Sequence, residues 1–258
     1  MRRCGSTPSP GKTTSVTLEL APISAYHFAP DGAGSFAEVV VHRRLEGAAR
    51  PGARPMRLVV GARNHPSRSM RPWVLLTEFG LPFEEVAAGG DADTVPVLVD
   101  ADGLVVRDMP AIAEFLAEKF PALALWPRDA RQRTRARSLC AELQAGVGAL
   151  DRHDALDVAP ARGTRLPAEQ AGRRGGHERV LALCQDALAA SGGPFLFGGY
   201  SIADACCAPD VMRLRTGAPP QPADVAAYAE RLVATRGVAA WIRAALAQQA
   251  ARPFDARA

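Results

Sequence analysis

The sequence predicts an α/β sheet domain followed by an all-helical domain, and three observations carry that expectation. Between residues 56 and 86 a short apolar strand, a helix and a second strand follow one another. Between Val95 and Pro121 a tight hairpin runs into a capped helix. From residue 130 onward the apolar spacing is helical, without strand-like alternation. The 258 residues suit one large or two small domains, and 48% apolar content is ample for a core.

Arg57 to Gly61 is short, apolar and β-branched, and reads as the first strand. Ser69 stands where the next helix needs its N-cap, with Pro72 in the first turn. Trp73, Leu76 and Phe79 fall on one face of that helix; Gly80 ends it and Leu81-Pro82 prevents continuation. Phe83 to Val86 is the second strand, and a strand-helix-strand unit of this length implies a right-handed parallel crossover. Only Ala87 to Thr94 then leads to Val95, too few residues for a packed helix and two loops. At roughly 3.3 Å per residue they still bridge strands two positions apart, about 10 Å.

Val97 to Val99 is a third strand, and Asp100 to Gly103 turns the chain, with Gly103 free to take a positive φ. Leu104 to Val106 pairs back. Asp108 is a good N-cap, with Pro110 in the first turn after it. Ile112, Phe115, Leu116 and Phe120 recur at three-to-four spacing and predict the buried face; Pro121 stops the helix.

After Leu125-Trp126-Pro127 the pattern is helical. Ala130 to Leu150 reads as one helix, with Leu139, Leu143 and Val147 apolar, and residues 151–167 read as irregular. Ala168 to Ala190 is helical but weakened at Gly175-Gly176, and Ser191-Gly192-Gly193-Pro194 breaks it. Ser201-Ile202-Ala203-Asp204 is a capping box: the Ser201 hydroxyl is expected to accept the Asp204 N–H, and the Asp204 carboxylate to reach back to the Ser201 N–H. Its role is structural. Ala223 to Thr235 and Val238 to Gln249 complete the helices.

No apolar run reaches membrane-span length, and no signal peptide follows Met1-Arg2-Arg3, so a soluble, cytoplasmic protein with no membrane partner is expected. Of the positive side chains behind the net charge of +4, only Lys12 and Lys119 are lysines. The basic run from Arg128 to Arg137 lacks aromatics for base stacking and reads as a solvated helix face, so nucleic acid is not an expected partner. The five cysteines (Cys4, Cys140, Cys184, Cys206 and Cys207) have no metal or CxxC spacing; no metal is expected. Adjacent Cys206 and Cys207 point to different sides of a helix.

Four stretches together resemble one family. They are RDMPAIAEFLAEKFP after the Val95-Pro96 hairpin, NHPSRSMRPWVLL at residues 64–76, GLPFEEV at residues 80–86 and FGGYSIADACCAPDVMRL at residues 197–214. In this order the chain resembles the cytosolic glutathione S-transferases, near the bacterial zeta-like members. The resemblance implies a thioredoxin-like glutathione-binding domain at residues 56–127 and an all-α domain at residues 128–252. Residues 1–55 fall outside it and read as a disordered extension or a mis-assigned start, with β-like runs at residues 16–20 and 36–41.

The resemblance also implies a reaction. The thiol of glutathione, a co-substrate, is activated by a hydroxyl and by the positive end of the first helix. It then attacks a small electrophile or adds reversibly to a double bond. Aligned through Arg71-Pro72-Trp73, the usual catalytic serine is Pro66, so Ser67 and Ser69 are the remaining hydroxyls, Ser67 the better donor and Ser69 also a candidate cap. His65 is a weaker candidate, and no cysteine lies between Asn64 and Met70, unlike the omega and beta types. Val95, before a cis Pro96, is to pair its backbone with the cysteinyl residue of glutathione. Asp108 is to hold the γ-glutamyl amine. Met109 replaces a serine and keeps only its N–H for the carboxylate, with Arg71 the nearest cation.

Three departures fall on the tripeptide site: Pro66, Met109 and the short connection at residues 87–94. Two lost hydrogen bonds to charged groups weaken glutathione by about 3–6 kcal/mol when both are fully realised. The sequence therefore supports a transferase or zeta-like isomerase with a degenerate site. The alternative it leaves open is a catalytically silent binding module. A homodimer is implied by the resemblance alone.

Overall fold

Strand β1 (Met56–Val60) lies between β2 (Phe83–Ala87), which runs parallel to it, and β3 (Val97–Val99), which runs antiparallel. β4 (Val105–Arg107) closes the sheet on the far side of β3, giving the order β2-β1-β3-β4. These elements are seen in a computed structural model that describes residues 55–61, 63, 68–88, 95–146, 170–217 and 221–250, all within the unit Ala49–Ala258. The short connection from β2 thus has to step over one strand only. Its residues 89–94 lie outside the described ones, as do the extension at residues 1–54, residues 151–167 and Val147.

Helix α1 (Met70–Glu78) joins β1 to β2, and α2 (Met109–Lys119) follows β4 and ends before a 3-10 turn at Pro121–Leu123. The helical half comprises α3 (Ala130–Gly146), α4 (Gln170–Ser191), α5 (Ile202–Gly217), α6 (Ala223–Ala234) and α7 (Arg236–Ala250). One apolar core runs through both halves, from Met56, Leu58 and Leu98 in the sheet to Tyr228 and Trp241 in the bundle.

The sequence expectations hold in outline and shift in three places. α1 is buried on every side from Met70 to Leu76 rather than along one face, because α2, α5 and α7 all pack on it. The buried face of α2 is Met109, Ile112, Ala113 and Leu116; Phe115 and Phe120 sit on its flank, half-buried. In the capping box the Asp204 carboxylate does accept the Ser201 N–H at 2.9 Å, but the Ser201 hydroxyl accepts from Ala203 N and donates to Asp204.

The carboxylate of Asp204 also takes the N–H of Leu196 and the hydroxyl of Tyr228. Full burial raises its pKa to about 6, against the lowering effect of those donors. Cys206 and Cys207 do face different helices. Cys207 Sγ lies 3.5 Å from Cys184 Sγ on α4, and Cys206 bonds Cys140 on α3. All four thiols are free, and the shared hydrogen bonds and burial push Cys140 and Cys207 up from the ordinary thiol value.

Candidate functional site

The C-terminal end of β1 and the first residues of α1 and α2 gather several of the predicted side chains. Gly61 ends β1 and donates its N–H to Ser69 Oγ at 3.1 Å. A Cβ on Gly61 would lie 3.3 Å from Val95 Cγ2 and 3.9 Å from Ser69 Oγ, so Gly61 is the point where these two residues meet. Ser69 itself has φ −69° and ψ −25°, already helical values, and its side chain makes no capping bond. The cap expected of Ser69 is therefore replaced by a tie to β1. Its hydroxyl is buried and keeps a hydrogen to donate.

The Val95-Pro96 peptide is cis, as the resemblance implied. Pro96 O accepts the N–H of Asp108 at 3.1 Å, which joins this segment to the start of α2. Asp108 is exposed and has φ 65° and ψ 152°, a region that costs a non-glycine residue on the order of 1–3 kcal/mol. Its Oδ1 accepts the Met109 N–H at 2.7 Å, so Asp108 caps α2 as predicted. Both carboxylate oxygens accept from Gln144 Nε2 of α3, each at 2.9 Å.

Two of the predicted contact residues are engaged within the protein. Arg71 is buried, and its guanidinium bonds Asp210 of α5 at 3.2 Å, with Arg213 on the other oxygen at 3.0 Å. That bond ties the two halves together. The Met109 side chain is buried in the core, and its N–H is already held by Asp108. Ser67, His65 and Pro66 lie outside the described residues.

Arg63, at the edge of that stretch, is gripped. Its guanidinium lies 5.0 Å from the ring of Trp73 and 4.6 Å from that of Trp241, and it bonds Glu85 at 2.6 Å. Trp73 Nε1 donates to the same carboxylate at 2.8 Å, and Arg63 N donates to Gln248 at 3.2 Å. Sequence reading missed this cluster and the pairing of Gln144 with Asp108, because the partners lie 36 residues apart for Asp108 and Gln144 and 185 for Arg63 and Gln248. The two tryptophans and Arg63 were the signal available: an arginine beside helices that each carry one indole. On α3, Arg137 is bound to Glu114 of α2 through two 2.8 Å bonds. Among the described residues no group of three or more His, Cys, Asp or Glu could hold a metal, and no helix is long and apolar enough to cross a membrane.

Comparison with known proteins gives the fold its class. Residues 67–119 match the family model described as the glutathione S-transferase N-terminal domain. A glutathione transferase homolog from Burkholderia GL BGR1, solved with bound glutathione, is 27% identical, with a TM-score of 0.57 over 77% of this chain and all of that one, 100%. Maleylacetoacetate isomerase from Anaeromyxobacter dehalogenans 2CP-1 is 26% identical, with a TM-score of 0.61 over 79% of this chain and 97% of that one. The same isomerase solved with dicarboxyethyl glutathione and citrate in its active site is 25% identical, with a TM-score of 0.61 over 79% of this chain and 97% of that one. No curated protein matches the sequence. The fold is the glutathione transferase fold: a thioredoxin-like sheet domain followed by a helical part.

Proposed function

We propose that this protein is a glutathione transferase that binds glutathione between the start of α1, the Val95-Pro96 segment and Asp108, and ionises its thiol. Asp108 carries the reading: an acidic side chain, exposed and held at a strained φ, bonded to the segment beside a cis proline. In this reading the Asp108 carboxylate takes the γ-glutamyl amine, and the backbone of Val95 takes the cysteinyl residue. Ser67 donates to the thiolate, and Ser69 holds the strand end beside it. Met109 contributes no hydroxyl and Arg71 no charge, so the γ-glutamyl carboxylate is bound weakly and the site is degenerate.

The likeness to the Anaeromyxobacter isomerase supports a zeta-like reaction, in which the thiolate adds reversibly to a double bond and lets it isomerise. Attack on a small electrophile uses the same activated thiol. The division at residues 56–127 and 128–252, a cytoplasmic location and a homodimer belong to the same proposal.

Isothermal titration of glutathione into the full chain tests it. Binding in the micromolar to low-millimolar range, with a thiolate absorbance that disappears in Ser67→Ala, is the expected result. No heat at several millimolar glutathione from folded protein would overturn the reading and leave the fold as a scaffold for another ligand.

A further inference from the structure

We propose that Gln144, on the helical half, is a positioning residue that orients the Asp108 carboxylate for the amine of glutathione. This rests on the reading of Asp108 given above. A carboxylate held by one hydrogen bond still turns about its Cβ–Cγ bond. The Met109 N–H reaches only Oδ1 of Asp108, at 2.7 Å. Gln144 Nε2 lies 2.9 Å from both oxygens, and that symmetric contact fixes the plane of the group. A carboxylate is acceptor-only, so the amide of Gln144 must present its NH2 side to Asp108.

An inventory of lone pairs says what is left for a ligand. An ionised carboxylate offers about four acceptor sites. The Met109 N–H and Gln144 together take three, two on Oδ1 and one on Oδ2. The remaining site is on Oδ2, and the residue is exposed. A cationic amine therefore meets one acceptor already aimed by the contact with α3. The backbone of Asp108 is fixed independently, by its N–H on Pro96 O at 3.1 Å and by its place at the start of α2. Removing Gln144 thus frees the side chain and leaves the loop in place.

The test compares two ligands on two proteins by calorimetry. One ligand is glutathione; the other is the analogue with hydrogen in place of the γ-glutamyl amino group. The proteins are the full-length chain and Gln144→Met, which keeps the side-chain length and loses the donor. Gln144→Met is expected to weaken glutathione about tenfold and to change the analogue less than about twofold. Turnover at saturating glutathione stays within about twofold while KM rises. Equal affinity of both proteins for glutathione overturns the role of Gln144 alone. So does an equal loss for both ligands, which would make Gln144 a tie between the halves only. No glutathione binding by the parent chain removes the transferase reading, and this role with it.

Discussion

Two seams join the sheet half to the helical half, and they are built from different materials. Along the first, α1 lies against α5 and α7, and the contacts are buried. Arg71, Asp210 and Arg213 form a buried ionic triad, and a Cβ on Gly237 would stand 2.5 Å from the carbonyl oxygen of Val74. Glu78 accepts the Gly237 N–H at 2.7 Å. Along the second, α2 faces α3 through exposed pairs, Asp108 with Gln144 and Glu114 with Arg137, the latter side chains 40% and 48% exposed. Removing one partner of a buried ion pair strands a charge in low dielectric, whereas an exposed pair is already matched by water. The first seam therefore fixes the relative placement of the halves. The second leaves its side chains free to answer to a ligand.

The largest effect should come from Asp210→Ala. It removes the buried carboxylate that both guanidinium groups bond, and urea unfolding should show a loss of about 3–5 kcal/mol. A loss below about 1 kcal/mol would mean that the first seam is wetter than it looks and that the contrast fails.

The next effect reads the same helix through pH. Asp204 binds its proton more tightly when folded, with a pKa of about 6, than when unfolded, where the ordinary value is 3.8. Its contribution is most favourable below the unfolded pKa and is lost as pH rises through the folded one. Stability should fall by about 2 kcal/mol between pH 3.8 and 6 relative to Asp204→Asn, whose side chain does not ionise. Parallel curves for the two proteins across that window would show that the four donors around Asp204 cancel the effect of burial. The smallest effect belongs to the second seam: Glu114→Ala should cost less than about 1 kcal/mol in the same urea assay. A larger loss than Asp210→Ala would invert the comparison.

What was legible in the sequence was local. Asp100 to Gly103 turn the hairpin with Gly103 at φ 94°, and Asp108 caps α2, each set by residues a few positions apart, while the cis Val95-Pro96 bond came through the family resemblance. Ser69 shows where local reasoning stops. A serine before a helix ordinarily caps it from an extended backbone. Ser69 is already helical, and the N–H at the end of β1 takes its hydroxyl. The bond of Arg71 to Asp210 was illegible, because Asp210, 139 residues away, leaves no trace in its local sequence. Phe115 and Phe120 fit the helical period, yet the smaller Ala113 takes the inner face, since packing against the sheet selects by volume as well as by spacing.

The seat of α7 has a practical side. Trp241 and Gln248 of this last helix hold Arg63, at the entrance to the stretch that contains Ser67. Trimming the chain back through α7, or fusing a bulky tag close behind Gln248, would disturb Arg63 first. The carboxyl-terminal helix is the handle to leave alone when the protein is engineered, and the exposed hairpin tip at Leu104 and Val105 is the safer place for a label.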